Sequence, residues 1–317
     1  MNNPFPYSDD NKRYYTWSHY LKTKYDSKVF KVALNANFSC PNRDGTAGVG
    51  GCTFCSSYGS GDTIEAMFEP LAKQYQENLK VMLHKWPNGK AIAYFQAYTN
   101  TYASVEDVSK MLKPFLNKDE VVAIALATRA DCLSDEMIDY LDFISRKKDI
   151  WVELGLQTTD DTIAAKLNRG HTYQCFLDTI DRLAKTNLKI CVHLMNSLPG
   201  ESKEAMIQNA YKVGQLPIHA VKIHMLYILK ETVLGQAYLA HPFKMLDKDE
   251  YIDVVVSQLE VLPKHIIIQR LTGDGIRGEQ IGSEWMFKKT IVLNDIDKRM
   301  VAKNTWQGKA LEKTKDA

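Results

Sequence analysis

Two kinds of segment alternate along this chain. Seven short runs are rich in β-branched and aromatic residues: "VFKVALNA" (29–36), "KAIAYFQA" (90–97), "EVVAIALAT" (120–128), "DIWVELGLQ" (149–157), "NLKICVHLM" (187–195), "HAVKIHMLY" (219–227) and "HIIIQRL" (265–271). They predict strands. Between them lie amphipathic stretches at 70–84, 104–116, 134–146, 172–186, 202–215 and 248–261. One carries a start signal, Ser104 with Asp107 three residues on, which resembles a capping box. Strand and helix in regular alternation predict βαβ units and a parallel sheet. Right-handed crossovers then leave two architectures, an open doubly wound sheet or a closed or partly closed barrel.

The strand faces bear on that choice. Strands covered by helices on both sides read as near-continuous apolar runs. Here Glu153, Gly155 and Gln157 share one face, opposite Val152, Leu154 and Leu156. His193 falls with Cys191 and Met195, and Lys222 with His224 opposes Val221, Ile223 and Met225. One apolar face and one polar face point to a barrel whose lumen is a working cavity. The plainer alternative is polar residues near strand ends, satisfied by loop backbone. No repeat or linker divides the chain, so residues 29–275 read as one core domain, flanked by extensions 1–28 and 276–317.

Composition adds bounds. A chain of 317 residues, 45% hydrophobic and 25% charged, can bury a sizeable core. The net charge of +2 selects no polyanionic partner, so any basic surface must be local. The start, "MNNPFPYSDDNKRYY", lacks the apolar centre of a secretory signal, and no run of about eighteen apolar residues follows. A cytoplasmic protein without a membrane partner is expected. Thiols there stay reduced, so clustered cysteines point to metal or redox chemistry.

Three of the six cysteines occupy one glycine-rich loop after the first strand, in "FSCPNRDGTAGVGGCTFCSSYGSGD" (38–62). Cys40, Cys52 and Cys55 follow a C-x11-C-x2-C spacing, and glycines at 45, 48, 50, 51, 59 and 61 let the chain wrap closely. The C-terminal end of a strand is where parallel α/β folds carry their active sites. Four readings stand side by side. They are a zinc site with a distant fourth ligand, a disulfide with a spare thiol, coincidental buried cysteines, and an iron–sulfur cluster with three thiolates. In the last, one iron stays open to an exogenous ligand. Cys132, Cys175 and Cys191 read as plain buried or helix cysteines.

With these residues in place, the sequence resembles the radical S-adenosylmethionine (radical SAM) enzymes. Their usual motif is C-x3-C-x2-C with an aromatic residue before the last cysteine, here Phe54. The longer first spacing resembles the elongator-type branch, and particularly the YhcC/YtqA-like family. Further matching stretches are "FQAYTNTYA" (95–103), "VELGLQTTDDTIAAKLNRGHT" (152–172), "HLMNSLPGES" (193–202) and "RLTGDG" (270–275). The resemblance implies a partial (β/α)6 TIM-type barrel with N- and C-terminal extensions. It also implies that Cys40, Cys52 and Cys55 hold a [4Fe–4S] cluster whose fourth iron is chelated by S-adenosylmethionine (SAM). Phe54 would lie against the adenine. Gln96-Ala97-Tyr98-Thr99 stands where many relatives carry G-G-E or G-G-G-T-P, so side-chain contact to the methionine amine departs from the pattern at Gln96. Glu153, Gln157 and Arg169 match positions that contact SAM.

These roles make physical sense. A carboxylate suits a guanidinium, and a ribose suits acceptors such as a glutamate and a glutamine. A carboxylate in a strand beside Leu154 needs a partner. The implied reaction is reductive cleavage of SAM to methionine and a 5′-deoxyadenosyl radical, fed by a flavodoxin or ferredoxin-type electron donor. Tyr98, His193, Lys222 and His224 are candidates for the substrate side, to position substrate or move a proton. The plainer reading of each histidine is a hydrogen-bonded ring.

The extensions raise the question of substrate. Residues 11–31 hold Lys12, Arg13, Lys22, Lys24, Lys28 and Lys31 against Asp26, interleaved with Tyr14, Tyr15, Trp17, Tyr20 and Tyr25. Cations follow phosphates while rings stack on unpaired bases, so RNA contact is one reading. An amphipathic helix packed on the barrel is the other. The C-terminal extension adds Lys288, Lys289, Lys298, Arg299, Lys303, Lys309, Lys313 and Lys315, with Asp295, Asp297, Glu312 and Asp316 interspersed. The elongator-type resemblance implies tRNA, with remodelling of 5-carboxymethylaminomethyl-uridine at the wobble position towards 5-aminomethyl-uridine. The chain leaves no room for a C-terminal acetyltransferase domain, so acetyl transfer is not expected. A radical SAM oxidase of a small metabolite or tetrapyrrole is the alternative within enzymes. A zinc-stabilised RNA-binding module is the alternative outside them.

Overall fold

The computed structural model describes residues 3–59, 69–273 and 278–312. Its strands are β1 (Val29–Leu34), β2 (Lys90–Phe95), β3 (Val121–Thr128), β4 (Asp149–Gln157), β5 (Lys189–Asn196), β6 (Ala220–Met225), β7 (Ile228–Leu229), β8 (Ile267–Arg270) and β9 (Gln280–Ile281). The helices are α1 (Trp17–Tyr25), α2 (Leu71–Lys85), α3 (Val105–Leu116), α4 (Asp135–Ser145), α5 (Asp161–Lys166), α6 (Tyr173–Leu183), α7 (Lys203–Gly214), α8 (Val233–Ala240), α9 (Lys248–Val261), α10 (Lys289–Ala302) and α11 (Lys309–Glu312). Each of the seven anticipated strands exists within a few residues of its expected bounds. They form one sheet in the order β1-β2-β3-β4-β5-β6-β8, and β7 pairs with β9 separately. The order never reverses. A doubly wound sheet needs a reversal at its switch point, so this sequence of strands is that of a barrel-type α/β fold.

Polar caps start the helices where the sequence places them. Ser104, Ser134, Thr172 and Ser202 each accept a backbone N–H from the first turn of the helix that follows. Asp247 and Glu250 complete a reciprocal capping box on α9. At Ser104 only half of the box forms: Ser104 accepts the Asp107 N–H and donates its hydroxyl to the Asp107 carboxylate.

The chain packs as two compact units: Leu21–Leu156 with Asn168–Cys191, and Met1–Tyr20 with Gln157–Leu167 and Val192–Ala317. In the first, the strands pair in parallel with Leu34, Phe95, Leu126 and Val152 in register across the sheet. These four are fully buried, and Phe95 meets the Phe115 ring of α3 edge-on at 5.5 Å. That face is the helix-covered one. The opposite face carries Lys31 on β1, Tyr94 on β2, Ala125 and Ala127 on β3 and Glu153 on β4, with Ala127 directly opposite Glu153. Alternating alanines leave volume beside the charged pair.

In the second unit, β6 and β8 pair in parallel. The outer edge of β8 is closed by the N-terminal segment: Thr16 bridges Ile268, and the Ile268 N–H donates to the Tyr15 carbonyl at 2.7 Å. Gln307 seals this corner, donating to the carbonyls of Pro263 and Ile266 while its Oε1 accepts the Tyr15 N–H. An unpaired strand edge invites foreign strands, and here the chain covers its own.

The same contacts absorb much of the basic character of both extensions. Arg13 and Tyr14 are each 5% exposed; Arg13 donates to Asn304 and to the Thr305 carbonyl, and Lys12 pairs with Asp297. Tyr7 stacks on Tyr15 and Trp17 on Tyr20. Arg299 on α10 and Lys303 just after it meet Asp253 of α9 at 2.5 and 2.9 Å, and Asp295 on α10 pairs with Lys248 at 2.7 Å. These cations hold the fold together, as the reading of packed extensions expects for this part of the basic character. Lys313, Lys315 and Asp316 lie outside the described residues, as do the boundary at 275/276 and Gly61.

Candidate functional site

The loop after β1 shows how eleven intervening residues bring Cys40 and Cys52 together. Residues 44–49 fold into a tight return closed by an antiparallel bridge between Asp44 and Val49. The Gly51 N–H then donates to the Asn42 carbonyl at 2.7 Å, and the Arg43 N–H to the Cys40 carbonyl at 2.8 Å. The turn-back needs left-handed backbone at Gly50 and Gly51, with φ of +80° and +85°, which costs glycine little. Cys55 follows in a turn whose N–H returns to the Cys52 carbonyl at 2.9 Å. The long first spacing is therefore a short one with a hairpin inserted.

The Asn168-Arg169-Gly170 stretch clasps that loop. Asn168 Nδ2 donates to the carbonyls of Val49 and Gly51, and Asn42 donates back to the Asn168 carbonyl. Arg169 is 6% exposed; its Nη1 donates to Cys52 Sγ at 3.1 Å and its Nη2 to the Gly155 carbonyl. Gly170 has φ of +74°, and a Cβ there would come within 2.2 Å of Asn42 Oδ1. The cysteine loop and the "LNRGHT" block, separate in sequence, thus form one assembly.

Two further guanidiniums converge on the thiols. Arg43 donates to the Ser56 carbonyl and lies over the Tyr98 ring at 5.5 Å. Burial pulls its pKa down, but a hydrogen bond to Cys55 and the charges of Cys55, Tyr98 and Cys40 outweigh this and hold it above its ordinary value. Arg129, just after β3, grips Asp131 through two bonds of 2.9 and 2.7 Å. Burial again opposes its charge, and the Asp131 pair, helped by Cys40 and Cys52, more than compensates. His171 lies 3.3 Å from Arg169 Nη2. Burial and the neighbouring arginine push it down to about 4, so it is neutral at ordinary pH. None of Arg43, Arg129, Asn42, Asn168 or His171 is singled out by the sequence; Asn42 and Asn168 meet across 126 positions, and the others gain their meaning only once the cysteine loop is placed beside them.

The other anticipated residues divide between the units. Phe54 is half-buried between Cys52 and Cys55, and Gln96 follows β2 directly. Tyr98, with φ of +58°, donates its hydroxyl to the Ser57 carbonyl; its ring leaves room only for glycine at Gly59, where a Cβ would approach to 2.3 Å. It braces the cysteine loop. Glu153 is fully buried and pairs with Lys31 at 2.7 Å, whose ammonium also lies 4.3 Å from the Tyr94 ring centre; this is the partner that its burial demanded. In the second unit, Gln157 ends β4 with φ of +78°. His193 and His224 stand on β5 and β6 with ring centres 5.4 Å apart, and Lys222 is 5% exposed. Cys132 and Cys191 are buried and Cys175 lies on α6. Burial raises the Cys132 and Cys175 thiols, which keeps them protonated, as plain core cysteines are.

The donor set fits a thiolate-bound cluster and an anionic co-ligand. None of the three loop cysteines is in a disulfide. Around them, Arg129 Nη1 and Arg169 Nε are buried without a hydrogen-bond partner among the described residues, and a buried cationic N–H calls for an anion. No group of three His, Cys, Asp or Glu among the described residues converges on one point as a single metal ion requires. In an iron–sulfur cube each thiolate binds its own iron, so convergence on a point is not what such a group asks. Also among the described residues, no helix is long and apolar enough to cross a membrane.

Comparison with known proteins adds the following. Residues 43–210 match the radical SAM superfamily and residues 218–302 a radical SAM C-terminal domain. The uncharacterized protein YtqA of Bacillus subtilis is 41% identical over 316 residues, covering 100% of this chain and 98% of that protein. The tRNA uridine(34) acetyltransferase of Methanocaldococcus infernus is 26% identical over 160 residues, 50% of this chain and 29% of that protein. The solved structure of Elp3 from Methanocaldococcus infernus, with its N-terminus deleted, superimposes with a TM-score of 0.65 at 18% identity over 89% of this chain and 64% of that one. That likeness gives the fold, a partial (β/α) barrel.

Proposed function

Because the chain belongs to the radical SAM superfamily, within its YhcC/YtqA-like family, we propose that it is an enzyme that remodels the side chain of the wobble uridine in tRNA. Its cofactors are a [4Fe–4S] cluster and SAM. When bound, they supply a 5′-deoxyadenosyl radical that abstracts hydrogen from substrate. Cys40, Cys52 and Cys55 ligate the cluster, Arg169 and Arg43 compensate its thiolates, and Asn168 with Tyr98 holds the loop in shape. Phe54, Gln96, Glu153 and Gln157 serve SAM. His193, Lys222 and His224 serve the substrate, positioning it and exchanging protons. Electrons come from a flavodoxin or ferredoxin-type donor.

The observation that carries the enzyme reading is the convergence of two buried guanidiniums, Arg129 and Arg169, and the half-buried Arg43 on the three loop thiols. The observation that supports tRNA is the match of half the chain to a tRNA uridine(34) acetyltransferase. Since that match spans 29% of the acetyltransferase, its acetyl-transfer step is not carried over. Conversion of the 5-carboxymethylaminomethyl group towards 5-aminomethyl suits a radical enzyme: hydrogen abstraction beside nitrogen gives a stabilised α-amino radical, loss of one electron to an iron–sulfur or flavin acceptor gives an iminium ion, and water releases 5-aminomethyl-uridine and glyoxylate.

Nucleoside mass spectrometry of tRNA from cells lacking the protein tests this. The reading expects 5-carboxymethylaminomethyl-uridine to accumulate at the expense of 5-aminomethyl-uridine. Unchanged wobble uridines would overturn the tRNA substrate and favour a small-molecule oxidase. A protein that binds one zinc and cleaves no SAM would be an RNA-binding module instead.

A further inference from the structure

Arg129 is the least explained charge in the cysteine-loop unit. It is 4% exposed, and its Nε and Nη2 are both taken up by Asp131. That fork fixes the plane of the guanidinium. Gly170 packs against it so closely that a Cβ would lie 3.2 Å from Nη2. The remaining nitrogen, Nη1, is buried with no hydrogen-bond partner among the described residues. Leaving such a donor unpaired costs about 1–3 kcal/mol, and more for a charged group. Arg43 and Arg169 each also donate to a backbone carbonyl, although Arg169 Nε is likewise buried and unpaired among the described residues; the bonds of Arg129 among the described residues go to Asp131. The anionic groups bearing on it besides Asp131 are Cys40 and Cys52.

We propose that Arg129, oriented by Asp131, is a positioning residue for the iron–sulfur cluster: it donates Nη1–H to sulfur on the Cys40–Cys52 side and makes the cluster easier to reduce. Three thiolates on a doubly positive iron–sulfur core leave one net negative charge, and reduction adds a second. Cluster potentials follow net charge and hydrogen bonds to sulfur, so a fixed buried cation favours the reduced form. The role is independent of which substrate the enzyme takes. It adds a third guanidinium, with a distinct duty, to the two that already touch loop atoms.

The test uses the full chain, reconstituted without oxygen, as the parent and as R129M, R129K and R129Q. Iron and sulfide content, SAM binding at equilibrium and the midpoint potential by EPR-monitored titration are measured for each. The expected result for R129M is iron content and SAM affinity within about twofold of the parent, with a more negative midpoint. At the potential where the parent is half reduced, its reduced-cluster signal falls severalfold. R129K, which keeps the charge, recovers most of the signal, and R129Q, which keeps a donor without the charge, lies between. If R129M does not hold iron, R129Q carries the test. An unchanged midpoint in the iron-loaded variants overturns the proposal. So does R129K shifting as far as R129M, or an unchanged midpoint with SAM affinity weakened more than tenfold, which would assign Arg129 to the SAM carboxylate.

Discussion

Two clusters, one in each packing unit, treat buried charge in opposite ways. The cysteine-loop unit gathers cations: Arg43, Arg129 and Arg169 surround three thiols, and Lys31 answers the fully buried Glu153 at 2.7 Å. The second unit buries a carboxyl, Glu201, with neutral donors only. Thr158 and Asn209 donate to its Oε1 at 2.8 and 2.7 Å, and its Oε2 is buried without a partner among the described residues. Burial pushes this group up to about 7, against the pull of those two hydrogen bonds. Where the fold must keep anions ionised it places cations beside them; where it does not, the carboxyl drifts towards neutrality. The first arrangement suits a redox group whose charge changes, and the second suits a structural joint.

The largest effect that can break this contrast lies at the thiols. Alanine at Cys40, Cys52 or Cys55 should reduce bound iron to below about a tenth of the parent and 5′-deoxyadenosine formation to background, because a cube held by two thiolates is readily lost. Retained SAM cleavage in any of the three would remove the reason for the surrounding arginines. Next comes Lys31→Met. Stranding Glu153 in the core should cost about 3–5 kcal/mol in denaturant unfolding, and adding Glu153→Gln should restore most of it. A neutral single variant would show that the pair is not a charge-compensating one.

Glu201 gives a smaller effect with a defined sign. Its folded pKa exceeds the ordinary value of 4.5, so the fold favours the protonated form. Stability from this group is present below pH 4.5, declines as pH rises towards about 7, and is flat beyond. The full span is at most about 3 kcal/mol. Glu201→Gln should therefore gain stability relative to the parent at pH 8 and little at pH 4.5. Superimposable pH profiles of thermal unfolding for parent and variant would contradict this. Smallest is Thr158→Val, which removes one donor from the Glu201 carboxylate and should cost about 1 kcal/mol at pH 8. If it costs nothing, Asn209 alone satisfies that oxygen.

Much of this contrast could be read in the sequence, and the missing parts share a cause. The seven strands were legible because their β-branched runs repeat at helix-separated intervals, and α9 matches its anticipated bounds at 248–261. Glu153 was legible as a buried carboxylate needing a partner, yet Lys31 was not legible as that partner: the two stand 122 positions apart, joined only by the strand order. Arg129 escaped for a related reason, since an arginine just after a strand looks solvated until the chain that buries it is placed. The extensions could be read two ways. Arg13, Arg299 and Lys303 have the composition of a nucleic-acid surface, and in the fold Asn304, Thr305 and Asp253 take them up. Composition counts charges and cannot tell which are already paired.

The most direct test of the central claim is iron and sulfide analysis of the anaerobically reconstituted chain, with EPR of the reduced protein before and after SAM is added. Three thiolates among buried guanidiniums predict about four irons and four sulfides per chain, with a cluster signal that changes when SAM binds. One zinc without sulfide, or a cluster signal that SAM leaves untouched, would contradict it.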